Sequence, residues 1–189
     1  DQNWEAAIFQ ELGSNPAAME AGNSCDFYGL TPGNRTEQSD AEQAYTQSVL
    51  RGVPTYVFLP RDRWPASWVA AGLKNPAVPL RLALDGHPDA GGYWEQHCEG
   101  HLLKVGFVPI SEWRSCFWHT ELRLFLVVYV DDFKLSGPEA NLAKGWELIR
   151  AGIATDTPHT PDIFLGCKHE ESVETSPWSG KKVRVLTYN

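Results

Sequence analysis

Glu121-Leu-Arg-Leu-Phe-Leu-Val-Val-Tyr-Val-Asp-Asp-Phe-Lys-Leu-Ser-Gly137 is the stretch whose reading decides the fold. Residues 122–130 are almost continuously apolar and rich in β-branched and aromatic side chains, as a buried strand requires. The run meets two adjacent carboxylates, Asp131 and Asp132, before a second short strand over 133–136. Unpaired carboxylates are costly to bury in a strand, so this pair sits at a turn or holds a cation. A tight hairpin turn accounts for it without any chemistry, because Asp tolerates turn geometry. A further carboxylate upstream, Asp40, opens the second possibility.

With 189 residues, 42% of them hydrophobic and eight of them Trp, the chain can bury a sizeable core. Its net charge of -8 argues against a general grip on nucleic acid, which needs a basic face. Cys25, Cys98, Cys116 and Cys167 are widely spaced with no CxxC pair, which fits free thiols in an intracellular, reducing compartment. No segment is long and apolar enough for a membrane span. Asn34-Arg-Thr36 matches a glycosylation sequon and is taken as chance in such a compartment.

Outward from the central hairpin, the pattern alternates short strands with helices. A helix is expected over 3–13, and a second from Asn15-Pro16 through about residue 27. A strand over 36–45 carries Asp40, and further strands are expected over 55–59, 80–84, 107–108, 115–118, 163–166 and 183–188. Asp89 is placed to cap a helix with Trp94, Cys98, Leu102 and Val105 on its inner face, ended by Gly106. Leu142, Trp146, Ile149 and Ile153 form one apolar stripe on another. The segment over 51–81 is the only locally basic one, with Arg61, Arg63, Lys74 and Arg81 around Trp64 and Trp68. It reads as a solvated loop with two packed Trp, or as a contact for a polynucleotide. Interleaved helices and frequent hairpins give an α+β class: an antiparallel sheet flanked by helices. Three regions follow: an N-terminal helical segment (1–35), a central region (36–170) and a C-terminal tail or edge strand (171–189).

Asp40-Ala-Glu-Gln-Ala-Tyr45, followed by Tyr129-Val-Asp-Asp132, resembles the palm of reverse transcriptases, most closely those of copia-type retrotransposons. Leu84-Asp-Gly86 with Trp94, Gly106-Phe107, Cys116-Phe117 and Phe164-Leu-Gly166 stand in the order that family shows, so the match spans roughly residues 36–170. The resemblance implies a palm-like fold and two-metal nucleotidyl transfer by an RNA-directed DNA polymerase, with fingers and thumb largely absent from this stretch. Mg²⁺ or Mn²⁺ would be the cofactor, and template-primer and dNTP the partners. Asp40 and Asp131 would be the main metal ligands with Asp132 beside them, which makes all three catalytic. Tyr45 would pack under the incoming sugar, Tyr129 would lie near the primer end, and Gly86 would line the nucleotide site.

The chain departs from the family at 84–92. Leu-Asp-Gly-His-Pro-Asp-Ala-Gly-Gly stands where Leu-Tyr-Gly-Leu-Lys-Gln-(Ala/Ser)-Pro-Arg is usual, so the Lys, Gln and Arg are missing. Only 39 residues precede Asp40, too few for basic fingers. The stretch alone is therefore expected not to polymerise. The alternative is a non-catalytic, domesticated palm remnant that serves as a structural or interaction subunit of a larger assembly. Lastly, His97 and His101 at helical spacing, with Cys116-x-x-His119, resemble zinc half-sites, but Cys98 falls on the apolar face of its helix.

Overall fold

The structure is a computed structural model and describes residues 16–189; the helix expected over 3–13 lies outside the described residues. The elements run α1 (Met19–Leu30), β1 (Asn34–Asp40), a 3₁₀ turn (Ala44–Gln47), β2 (Tyr56–Phe58), a second 3₁₀ turn (Arg61–Arg63), α2 (Ala66–Ala70), β3 (Ala77–Pro79) and α3 (Ala90–Lys104). There follow β4 (Phe107–Pro109), β5 (Cys116–His119), β6 (Leu124–Tyr129), β7 (Asp132–Pro138), α4 (Glu139–Arg150), β8 (Ile163–Phe164), β9 (Cys167–Thr175) and β10 (Lys182–Tyr188). The class is α+β. Its main sheet has five strands in the order β1-β7-β6-β5-β4, every pair antiparallel.

The apolar run is β6, and its lack of alternation has a direct cause: both faces of the sheet are covered. Leu124, Leu126 and Val128 point to one face and meet Trp94, Cys98 and Leu102 of α3 and Leu142, Trp146 and Ile149 of α4. Phe125 and Val127 point to the other and meet Ala17, Ala21 and Cys25 at and before α1. Gly145 lets α4 lie directly on the sheet, since a Cβ there would collide with Leu124 and Leu135. Trp146 Nε1 donates to Glu37 Oε2 at 2.7 Å, which ties α4 to β1.

On β7 the alternation is sharper. Phe133 and Leu135 enter the core under α3 and α4, while Lys134 and Ser136 point to the α1 side. Lys134 is only 1% exposed. A buried ammonium is tolerated only when paired and hydrogen-bonded. Lys134 Nζ donates to Asp26 Oδ2 of α1 at 2.7 Å and lies 3.9 Å above the Phe164 ring. Asp26 Oδ2 also accepts from the Tyr188 hydroxyl at 3.1 Å, and His169 Nε2 lies 3.1 Å from it. His169 Nδ1 faces the Cys167 carbonyl at 3.0 Å and must donate to it. In neutral His169 this leaves Nε2 as the acceptor for Lys134 Nζ, 3.1 Å away. Burial, then the Asp26 charge, pushes the Tyr188 hydroxyl up from its ordinary value. Residues 171–189, read as a tail or edge strand, thus supply most of a β9–β10 hairpin clasped to α1 and β7.

Two expectations are corrected by the fold. Residues 80–84 are not a strand; β3 lies earlier, and only Leu82 makes an isolated bridge, to Val49. Asp89 occupies the N-cap position of α3, but its side chain makes no cap hydrogen bond.

The buried pair predicts a large and asymmetric stability effect. Asp26→Ala strands the Lys134 charge and is expected to cost about 3–5 kcal/mol in urea unfolding, whereas Asp26→Leu with Lys134→Met costs clearly less.

Candidate active site

The carboxylates gather where β1 and the β6–β7 hairpin end together. The register runs from Asn34 opposite Pro138 to Asp40 opposite Asp132, and on β6 Tyr129 stands opposite Asp132. Directly opposed residues project to the same face, so Tyr129, Asp132 and Asp40 form a row there. That face is the one carrying Lys134, two residues along β7. Here it is open: Asp40 is exposed and Asp132 and Tyr129 half-buried. The close side-chain pair is therefore Asp40 with Asp132, joined by a carboxyl–carboxyl hydrogen bond.

Asp131 is in the turn itself. Tyr129 and Asp132 are the last ladder pair, so the two turn residues are Val130 and Asp131. Val130 has φ of 58°, a conformation that a β-branched residue adopts only at a cost of about 1–3 kcal/mol. Trp94 Nε1 holds the strained residue by donating to its carbonyl at 2.6 Å. The Asp131 carbonyl accepts from Ala41 N–H at 2.7 Å, which extends the β1–β7 pairing past the strand end and leaves the Asp131 carboxylate exposed.

Burial, then the charges of Asp40 and Asp131, pushes the Asp132 carboxyl up to about 6; the hydrogen bond to Asp40 adds to the shift, and Lys134 opposes it. Such a set is short of positive charge. Tyr45, in the first 3₁₀ turn, has its hydroxyl pushed up by burial, then by Asp131 and Asp85. Gly86 lies in the turn closed by His87 N–H on the Leu84 carbonyl, at φ of 85°, which favours glycine. The site row is thus Asp40, Asp132 and Tyr129, with Asp131, Tyr45 and Asp85 beside it.

Two members were not legible in the sequence. Asp85 stood only as a departure from a motif, yet its charge reaches Tyr45. Asp156, in what reads as a polar loop, braces the end of β1: its Oδ1 accepts from Ser39 Oγ at 2.6 Å and from the Asp40 N–H at 3.0 Å.

The zinc-like spacings are otherwise employed. His101 Nε2 bonds the Leu148 carbonyl at 2.9 Å, and His97 bonds the Gly152 backbone, so both rings serve the C-terminal end of α4. Burial, in the first place, lowers the His97 pKa. Cys116 and His119 are three residues apart on β5 and so face opposite sides of the sheet, with the His119 ring against Phe107. The thiols of Cys25 and Cys116 are pushed up by burial to about 12 and about 11. Among the described residues no group of three or more His, Cys, Asp or Glu side chains is arranged to hold a metal ion. No helix of the described residues is long and apolar enough to cross a membrane. No family model matches the chain, and no curated protein matches it.

A raised carboxyl favours the protonated form in the folded state. The stability it contributes is present below the ordinary carboxylate range and is lost as pH rises through about 6. Asp132→Asn, which stays neutral, should therefore unfold later than wild type at neutral pH, by about 1 kcal/mol once solvent screening at this half-exposed group is allowed for. In thermal melts the difference should vanish in acid.

Proposed function

We propose that the chain is the palm of a copia-type reverse transcriptase, an RNA-directed DNA polymerase domain whose catalytic carboxylates are Asp40, Asp131 and Asp132. The observation that carries this reading is the register that sets Asp40 against Asp132 at the end of an antiparallel hairpin, with Asp131 in the adjoining turn. It joins two motifs far apart in sequence, and the resemblance requires that pairing. Tyr45 and Tyr129 flank the carboxylates, the places from which they would support the nucleotide sugar and the primer end.

The donor set suits Mg²⁺ or Mn²⁺. Both are hard cations that take oxygen ligands, and Mg²⁺ is commonly held by one or two carboxylates with waters and substrate phosphates completing its shell. Asp40 and Asp132 supply two carboxylates whose mutual repulsion a cation would relieve. When bound, such ions lower the pKa of the attacking hydroxyl and neutralise charge on the transferred phosphoryl group. The protein's own part is positional: Asp156 fixes the end of β1, Trp94 fixes the turn, and the two together hold the carboxylates in place. Protonation of Asp132 removes a ligand, so cation affinity should rise with pH through about 6.

Asp85 favours a second reading, the non-catalytic palm remnant acting as a subunit of a larger assembly. Where the resemblance would want a cation for the triphosphate, the structure adds a carboxylate beside Tyr45.

Primer extension with Mg²⁺ or Mn²⁺ separates the two. The chain alone is expected to be inactive. Joined to a basic fingers segment it is expected to extend a primer on an RNA template, and Asp132→Asn should abolish the activity. A folded fusion that gains no extension, from a chain whose melting temperature ignores both ions, would favour the subunit reading and overturn the polymerase one.

A further inference from the structure

Between α3 and the loop that joins β4 to β5 lies a cavity of about 470 Å³, within the range that takes a small organic ligand. Its floor is apolar: Trp94 and Cys98 of α3, Phe117 of β5 and Val128 of β6, all buried. Ile110 and Trp113 of the loop form the facing side. That loop is fixed before any ligand arrives. Ile110 N–H donates to the Cys116 carbonyl at 2.9 Å, Trp113 N–H to the Ile110 carbonyl at 3.1 Å, and Val128 N–H to the Ser115 carbonyl at 2.9 Å. Glu112 and Ser115 hold φ of 64° and 54°, left-handed conformations that non-glycine residues adopt at a cost and that recur at ligand clamps. None of Asp40, Asp131 and Asp132 lines this cavity.

The rim is acidic. Glu95, Glu99 and Glu112 line it against one cation, Arg114. Glu99, Glu112 and Arg114 are exposed, and among the described residues none of the three forms a salt bridge. The negative field reaches the floor: burial, then the charges of Glu95 and Glu99, pushes the Cys98 thiol up. Trp113 is 40% exposed, with its ring centred 6.3 Å from that of Phe125. An aromatic surface beside carboxylates attracts a cation through the ring quadrupole as well as through charge.

We propose that this cavity binds an organic ammonium ion, its apolar body on Trp94, Phe117 and Val128 and its charge at the mouth among Trp113, Glu99 and Glu112. The site stands apart from the polymerase reading and does not depend on it. Three carboxylates against one guanidinium reject an anion, and an inorganic cation gains nothing from an apolar floor. Residues 1–15 carry Asp1, Glu5 and Glu11 and no Lys or Arg, so the start of the chain has the wrong charge to fill the mouth. Trp94 is shared with the carboxylate turn, because its indole N–H holds the Val130 carbonyl at 2.6 Å and Val130 itself lines the cavity. An occupant is therefore felt at that indole.

Isothermal titration calorimetry with benzyltrimethylammonium tests the proposal, with benzyl alcohol and phenylacetate as neutral and anionic probes of similar size. The cation should bind saturably at millimolar concentration, the neutral probe about tenfold more weakly and the anion not at all. Trp113→Ala should weaken cation binding about fivefold. Glu99→Gln with Glu112→Gln should weaken it by about as much and remove most of its salt dependence. Arg114→Gln, which takes away the one repelling charge, should tighten it. All four altered side chains are exposed, and circular dichroism verifies that each variant folds. In nitrogen-15 NMR the Trp94 indole N–H should shift with the same midpoint. Absence of saturable cation binding, equal binding of the cation and the neutral probe, or binding indifferent to Trp113 and both glutamates would overturn the proposal. Binding that appears only after Trp4→Ala with Ile8→Ala would assign the cavity to the chain's own start, and self-association lost in Trp113→Ala would assign it to a second copy. Either result also overturns the proposal.

Discussion

The antiparallel register of β1 on β7 is the constraint on which the remaining structure depends. A slip of one residue would exchange the two faces of β7, because side chains alternate along a strand. Lys134 would then enter the apolar core beneath α3 and α4, and Phe133 and Leu135 would take its place beside Asp26. The same slip would move Asp132 away from Asp40. The ammonium of Lys134, buried where Asp26 and His169 can satisfy it and where Tyr188 donates to Asp26, therefore does more than join α1 and the β9–β10 hairpin to the sheet. It makes the wrong registers expensive, and in doing so it places the carboxylates. The fold and the candidate site share one determinant.

The site itself is held against its own preferences. A valine occupies a left-handed turn position, and a partly buried carboxyl is pressed by two like charges. Both cost stability, and both persist because neighbours over-determine them: Trp94 on the Val130 carbonyl, Ala41 on the Asp131 carbonyl, Asp156 on the end of β1. Strain and electrostatic frustration of this kind concentrate at functional sites.

How much of this was legible in the sequence differs element by element. The central hairpin was, because an apolar run of β-branched residues broken by two Asp has few other solutions. The α3 and α4 helices were, because Trp94, Cys98 and Leu102, and Leu142, Trp146 and Ile149, keep helical spacing. Asp40 was placed near the end of a strand, but its closest partner was not, since the choice between Asp131 and Asp132 turns on which two residues form the tight turn. The Lys134 cluster could not be read: a lysine between Phe and Leu on a strand looks like an outward-facing residue, and Asp26, His169 and Tyr188 are joined to it only by tertiary packing. The role of His97 and His101 was hidden for a related reason. Their spacing places both on one helix face, and only the structure reveals that the end of α4 lies opposite. Residues 80–84 had the composition of a strand, yet Leu82 and Leu84 stay exposed, with no sheet to bury them.

The central claim is that Asp40 and Asp132 form one coupled carboxylate pair. Carbon-detected NMR titration of the Asp132 side-chain carboxyl tests it most directly, performed without and with Mg²⁺. The account predicts a midpoint near 6 in the free protein and a clear fall when the ion is added, with the shift lost in Asp40→Asn. A midpoint in the ordinary carboxylate range, unchanged by Mg²⁺ and by Asp40→Asn, would contradict it.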